Sequence, residues 1–239
     1  MRFSFLTATS IAAAALSSSA VWAVVINPPS PQSLPSNHRE TVQEAAYHAR
    51  DLVINRSDGL ATFMSVFPQG YGDGLDGMPI GGMEYVAPTT DGDLYILAMP
   101  LSKQIHNVLS SSTHNASLSI KDEASERKYH QIGGTDRNRM TLFGHLELIE
   151  DEHEQKVAAK TFAKYHKDAV AYYPGRGPHK ALWSRFVVER IYWIGGFGDT
   201  HYIGWIPIDL YRNALDHKIV DGIVESIKER LLVQFGEAF

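Results

Sequence analysis

The sequence predicts an α+β fold, an antiparallel β-barrel with helices attached to it. Three observations point there. Six short runs of aliphatic, aromatic and β-branched residues are separated by turn residues. Three or four other stretches carry apolar residues at helical spacing. The two kinds do not alternate strictly, as a parallel βαβ sheet demands, and no internal repeat recurs at a fixed period.

The first helix is expected to begin near Ser36, capped by Ser36 or Asn37, with Glu40 completing a capping box. Val42, Ala45, Ala46, Ala49, Leu52 and Val53 form its apolar face, and turn residues at 55–59 end it. Strands are expected over 60–67, 82–87 and 94–99, with a glycine-rich loop at 70–77 and a turn at 88–92. A short helix fits 102–109, and another strand fits 116–120. Residues 121–139 are polar. The run 141–149 alternates, placing Leu142, Gly144, Leu146 and Leu148 on one face and Phe143, His145, Glu147 and Ile149 on the other. Residues 150–165 have acids in the first turn and Lys164 late, matching a helix dipole. A loop at 171–180 leads to the longest strand, 183–194, which Gly195 and Gly196 break before a further strand-like run. A last helix is expected over 215–235, with Ile219, Ile223, Ile227 and Leu231 on one face.

Residues 1–23 have the pattern of a cleavable signal peptide: Arg2, an apolar stretch through Leu16, and small residues at Val21 and Ala23. Serines and threonines make the segment too short and polar to span a bilayer comfortably, and no later stretch approaches the ~20 apolar residues a span needs. The expectation is a chain secreted or delivered to an endomembrane or vacuolar lumen. A proline-rich arm at 24–36, one domain over 37–212 and a helical extension over 213–239 complete the organisation. The net charge of -5 argues against nucleic acid as a partner. With no cysteine, disulfides, thiolate chemistry and Cys-ligated zinc are excluded. Asn55 and Asn115 each head an N-glycosylation sequon.

The eleven histidines show no metal spacing. His130, His145, His166, His179 and His201 stand singly and read as surface or satisfied core residues. No Gly-x-Ser-x-Gly elbow supports serine hydrolase chemistry. The loop Gly195-Gly196-Phe197-Gly198 precedes a strand-like run, so it reads as a turn or bulge and not as a dinucleotide fingerprint. The stretch 100–109 ends a strand and starts a helix, with Ser102 and Lys103 in the first turn. Such a start can hold a phosphate or be an ordinary capped helix.

The order of these pieces resembles a known group. Pro100-Leu-Ser-Lys-x-x-x-Asn107, then Asn115-Ala-Ser-Leu118, then Phe143-Gly-His-Leu-Glu-Leu-Ile149 and Arg185 through Gly198 resemble the flavin-mononucleotide-binding split barrels related to pyridoxamine 5'-phosphate oxidase. Within them the match is to the secreted CREG type, over about residues 36–212.

The resemblance implies a six-stranded split barrel with flanking helices, forming a homodimer with any flavin site at its interface. It matches Ser102, Lys103, Asn107 and Ser117 to cofactor-binding positions. Active oxidases of the group carry bases on their early strands, whereas 61–66 and 83–86 carry none here. Arg127, Lys128, Arg137 or Arg139 are the candidate replacements. The resemblance therefore implies a secreted, non-catalytic dimer first. An FMN-dependent oxidoreductase is the alternative, and a haem-binding protein the weaker one, with Gln104 and His106 beside Asn107.

Overall fold

A computed structural model describes residues 39–123 and 134–215. The signal segment, the arm, Arg127, Lys128, His130 and the helix expected after 215 lie outside the described residues.

Helix α1 spans Val42–Asp51, and a π-helical turn, Leu52–Arg56, continues it. Its cap is Thr41, not Ser36 or Asn37. Thr41 Oγ1 accepts from Glu44 N at 3.2 Å and the Glu44 carboxylate accepts from Thr41 N at 2.9 Å, a reciprocal capping box. Glu40, expected in that role, instead accepts from His48 and from the backbone of Tyr202.

Six strands follow: β1 Leu60–Val66, β2 Pro79–Pro88, β3 Leu94–Ala98, β4 Asn115–Lys121, β5 Arg139–Leu148 and β6 Leu182–Ile194. Helix α2, Lys103–Leu109, lies between β3 and β4, and α3, Glu152–Tyr165, between β5 and β6. The strands are hydrogen-bonded in the order β3-β2-β1-β4-β5-β6, all antiparallel, and β6 returns to β3. The result is a closed six-stranded barrel, which leaves these strands no free edge along the closing pair. The strand-like run after the glycine loop is β7, Ile203–Ile206, added to β6.

The barrel interior is filled by inward positions of every strand, among them Phe63, Val86, Ile96, Leu118, Leu142 and Phe186. Ala45, Ala46 and Ala49 of α1 join this core, where their small side chains permit close approach. Gly144 sits at a bulge between β5 and β6, and a Cβ there would fall 1.8 Å from the Val187 carbonyl oxygen. A second apolar layer lies between α3 and the outer faces of β2, β3 and β6, built from Ala87, Leu97, Phe162, Tyr173 and Trp183.

Two expectations need correction. Leu148 is exposed and Ile149 buried, because β5 ends at Leu148 and its alternation stops there. A short helix unforeseen in the sequence, α4, spans Ile208–Asn213 and buries Tyr211 in the core. No helix among the described residues is long and apolar enough to cross a membrane.

Candidate functional site

The start of α2 is where the sequence allows either a phosphate site or an ordinary capped helix. Ser102 is the residue before the first turn, and its hydroxyl makes no capping bond to the helix. It bonds the carboxylate of Glu84 on β2 instead. Gln104 Nε2 donates to the same carboxylate at 2.8 Å. Gly82 makes room for this arrangement, since a Cβ there would lie 2.4 Å from Gln104 Nε2. Glu84 is only 8% exposed. Burial raises its pKa, and the bonds from Ser102 and Gln104 act the other way. The side-chain donors of Ser102 and Gln104 are thus turned to a carboxyl group the chain itself supplies.

Lys103 turns to solvent, and its ammonium lies 5.4 Å from the centre of the Tyr71 ring. Asn107, one turn on, is 2% exposed, and neither amide atom has a hydrogen-bond partner among the described residues. Ser117 is half-buried on β4, between Met64 of β1 and Phe143 of β5 in the register. Arg139 Nη1 donates to the backbone carbonyls of Thr135 and Arg137. A flavin phosphate does not fit this donor set: the hydroxyl and amide face a carboxylate, and a phosphate would meet that like charge at close range.

Asn55 and Asn115 are both exposed. The Asn55 amide donates to Asp51 at 2.8 Å, and its sequon partner Ser57 is fully buried.

Beside Glu84, on the outer face of β2, lies a cavity of about 320 Å³ lined by Met83, Tyr85, Leu97, Met99, Phe162 and Tyr172, among others. Tyr85 donates to Asp168 at 2.7 Å and stacks on His166 with ring centres 4.2 Å apart. His166 is buried and shares a hydrogen bond of 3.0 Å with the Val86 carbonyl, the protonated Nε2 donating. Burial holds its pKa below the usual value, so it is a neutral packing group. Gly59, at φ 68°, lets the imidazole in, as a Cβ there would lie 2.5 Å from the ring. This confirms the reading of His166 as a satisfied core residue. His145 is half-buried, with Glu189 on its Nδ1 and Glu147 on its Nε2, and among the described residues no group of three His, Asp or Glu side chains is placed to hold a metal ion.

The outer face of the sheet carries a continuous row. Met83, Thr62, Ser119, Thr141, Tyr192 and Trp205 are successive register partners across β2, β1, β4, β5, β6 and β7. Met83 is 67% and Trp205 52% exposed, and Phe143 packs on Trp205 with centres 5.6 Å apart.

In the sequence only alternation points to Glu84, turning it inward with Gly82 and Val86.

A family model described as "CREG, beta-barrel" matches residues 40–213. The structure is similar to a haem-binding protein from Mycobacterium smegmatis, with 18% identity, a TM-score of 0.56, and 73% of this chain and 61% of that chain covered. It is also similar to a protein of unknown function from Agrobacterium tumefaciens, with 18% identity, a TM-score of 0.49, and coverage of 66% and 60%. The chain spans about three fifths of the length of both. The likeness to the Mycobacterium smegmatis protein shows the split-barrel fold. A comparison with curated proteins finds no match.

Proposed function

Since the chain belongs to the CREG β-barrel family, we propose that it is a secreted, dimeric, non-catalytic split-barrel protein that acts through its surface and holds no flavin. The observation that carries this reading is the Glu84 carboxylate at the start of α2. A cofactor phosphate gains several charge-assisted bonds where it binds. Here the Ser102 and Gln104 donors serve Glu84, and the neighbouring strands add no base. Secretion rests on residues 1–23. The dimer rests on the row from Met83 to Trp205, an exposed partly apolar sheet face of the kind that marks an interaction surface.

The test is to purify the secreted protein, record its absorption spectrum and sediment it. A colourless dimer that gains no flavin band after incubation with the mononucleotide is expected. A flavin or haem band in the purified protein would overturn the cofactor-free reading, and a monomer at micromolar concentration would overturn the dimer.

A further inference from the structure

Also against α3 is a cleft of about 370 Å³. Its walls are α1, the turn between β2 and β3, α3 and the strand residues Tyr95 and Arg185. Three cations border it: Arg50, Lys164 and Arg185. Their situations differ. Arg185 is neutralised several times over, by Glu154, by Asp91 at 3.4 Å and by Asp93 at 3.7 Å. Asp93 is shared further with Arg212 at 3.0 Å. Those acids, including Asp91 in the cleft wall, are committed.

Arg50 and Lys164 have no acidic partner among the described residues. Arg50 is completely buried in the cleft floor. Its Nη2 donates to the carbonyls of Thr89 and Thr90, each at 3.1 Å, and its guanidinium lies 5.2 Å from the Tyr211 ring centre. Among the described residues Nε and Nη1 have no hydrogen-bond partner. A guanidinium does not shed its proton, so this charge cannot be relieved by titration. A buried charge is costly unless an opposite charge compensates it. Lys164 stands exposed above on α3, with the hydroxyls of Thr161 and Tyr165 beside it in the same wall.

We infer that this cleft binds a small oxyanion, a phosphate or carboxylate group on a compact ligand, with Lys164, Thr161 and Tyr165 as its contacts and Arg50 as the fixed charge beneath it. The site is independent of the cofactor-free reading of α2. The flat row of the outer sheet lies elsewhere.

Arg50 also holds the turn between β2 and β3, so the test is made at Lys164, which is exposed. Inorganic phosphate and acetate are titrated into the full chain at constant ionic strength, with chloride as the balancing anion, and the melting temperature and amide shifts are followed. At least one oxyanion is expected to give a saturable response that chloride does not. Lys164→Glu is expected to weaken it about tenfold or more, and Thr161→Val to weaken it less, with the unliganded melting temperature of both variants unchanged. Which oxyanion saturates at lower concentration identifies the group. No saturable response, as when another part of the chain already fills the cleft, would overturn the inference, and so would a response that Lys164→Glu leaves intact.

Discussion

The start of α2 and the cleft above Arg50 meet opposite conditions. At α2 the hydroxyl of Ser102 and the amide of Gln104 surround a carboxylate from the chain's own β2. At the cleft, the buried Arg50 guanidinium has carbonyls and an aromatic ring for company and, among the described residues, no carboxylate paired with it, Asp91 in the wall being held by Arg185. The difference teaches that the presence of donors or bases does not locate a ligand site. What locates it is whether the chain has already supplied the opposite charge. Ser102 and Lys103 have the residue types of a phosphate site, and Glu84 beside them changes what those residue types can hold.

The largest effect is expected in α3, which forms one wall of the cleft. Phe162 is fully buried on α3 and contacts His166, Tyr173 and Trp183. Phe162→Ala should destabilise the fold by about 3–5 kcal/mol in denaturant unfolding. Hydrogen exchange should quicken in α3 before it quickens in α2. Equal loosening of both regions would mean that the two are one cooperative unit and the comparison is too sharp.

The α2 side responds to Glu84. Glu84→Ala leaves two donors at a buried site without an acceptor and should cost about 1–3 kcal/mol. Glu84→Gln keeps an acceptor, removes a desolvated charge, and should cost less than about 1 kcal/mol. A Gln variant as damaged as the Ala variant would show that the charge itself holds the helix start.

The smallest effect is in pH dependence, where the buried groups Glu84 and His166 oppose each other. The His166 pKa is lowered by burial, so the unfolded chain takes up protons first as pH falls below about 6.5, and stability drops in that window. The Glu84 pKa is raised by burial, so the fold takes up that proton first, and stability rises as pH falls through the raised value toward about 4.5. Each contributes at most about 1.4 kcal/mol per pH unit. Melting followed from about pH 7.5 to about pH 4.5 should show a flatter acid loss in His166→Gln and a steeper one in Glu84→Gln. Parallel profiles would refute the assignment of either group.

Much of the fold was legible. The six barrel strands and the helices at α2 and α3 came from periodicity and turn residues, which report local physics. What was missed depends on tertiary contact. Thr41 and Ser36 are equally good caps in sequence, and only Glu44's return to Thr41 decides between them. Helix α4 is six residues long, too short for a periodic signal, and is held by burying Tyr211. Ser102, Lys103 and Asn107 were found as a motif, but Glu84 lies 18 residues before Ser102, and no spacing links them. Arg50 was readable as a cation on the same helix as Ala45, Ala46 and Ala49; that no acid among the described residues pairs with it is a fact of packing.

The central claim is that Glu84 closes the α2 start to a cofactor phosphate. Its most direct test is a fluorescence titration of flavin mononucleotide with the wild-type chain and with Lys103→Ala. The account predicts no saturable quenching by either protein at tens of micromolar, within the range where weak cofactor sites are detected. Stoichiometric quenching by the wild type, weakened in Lys103→Ala, would contradict it.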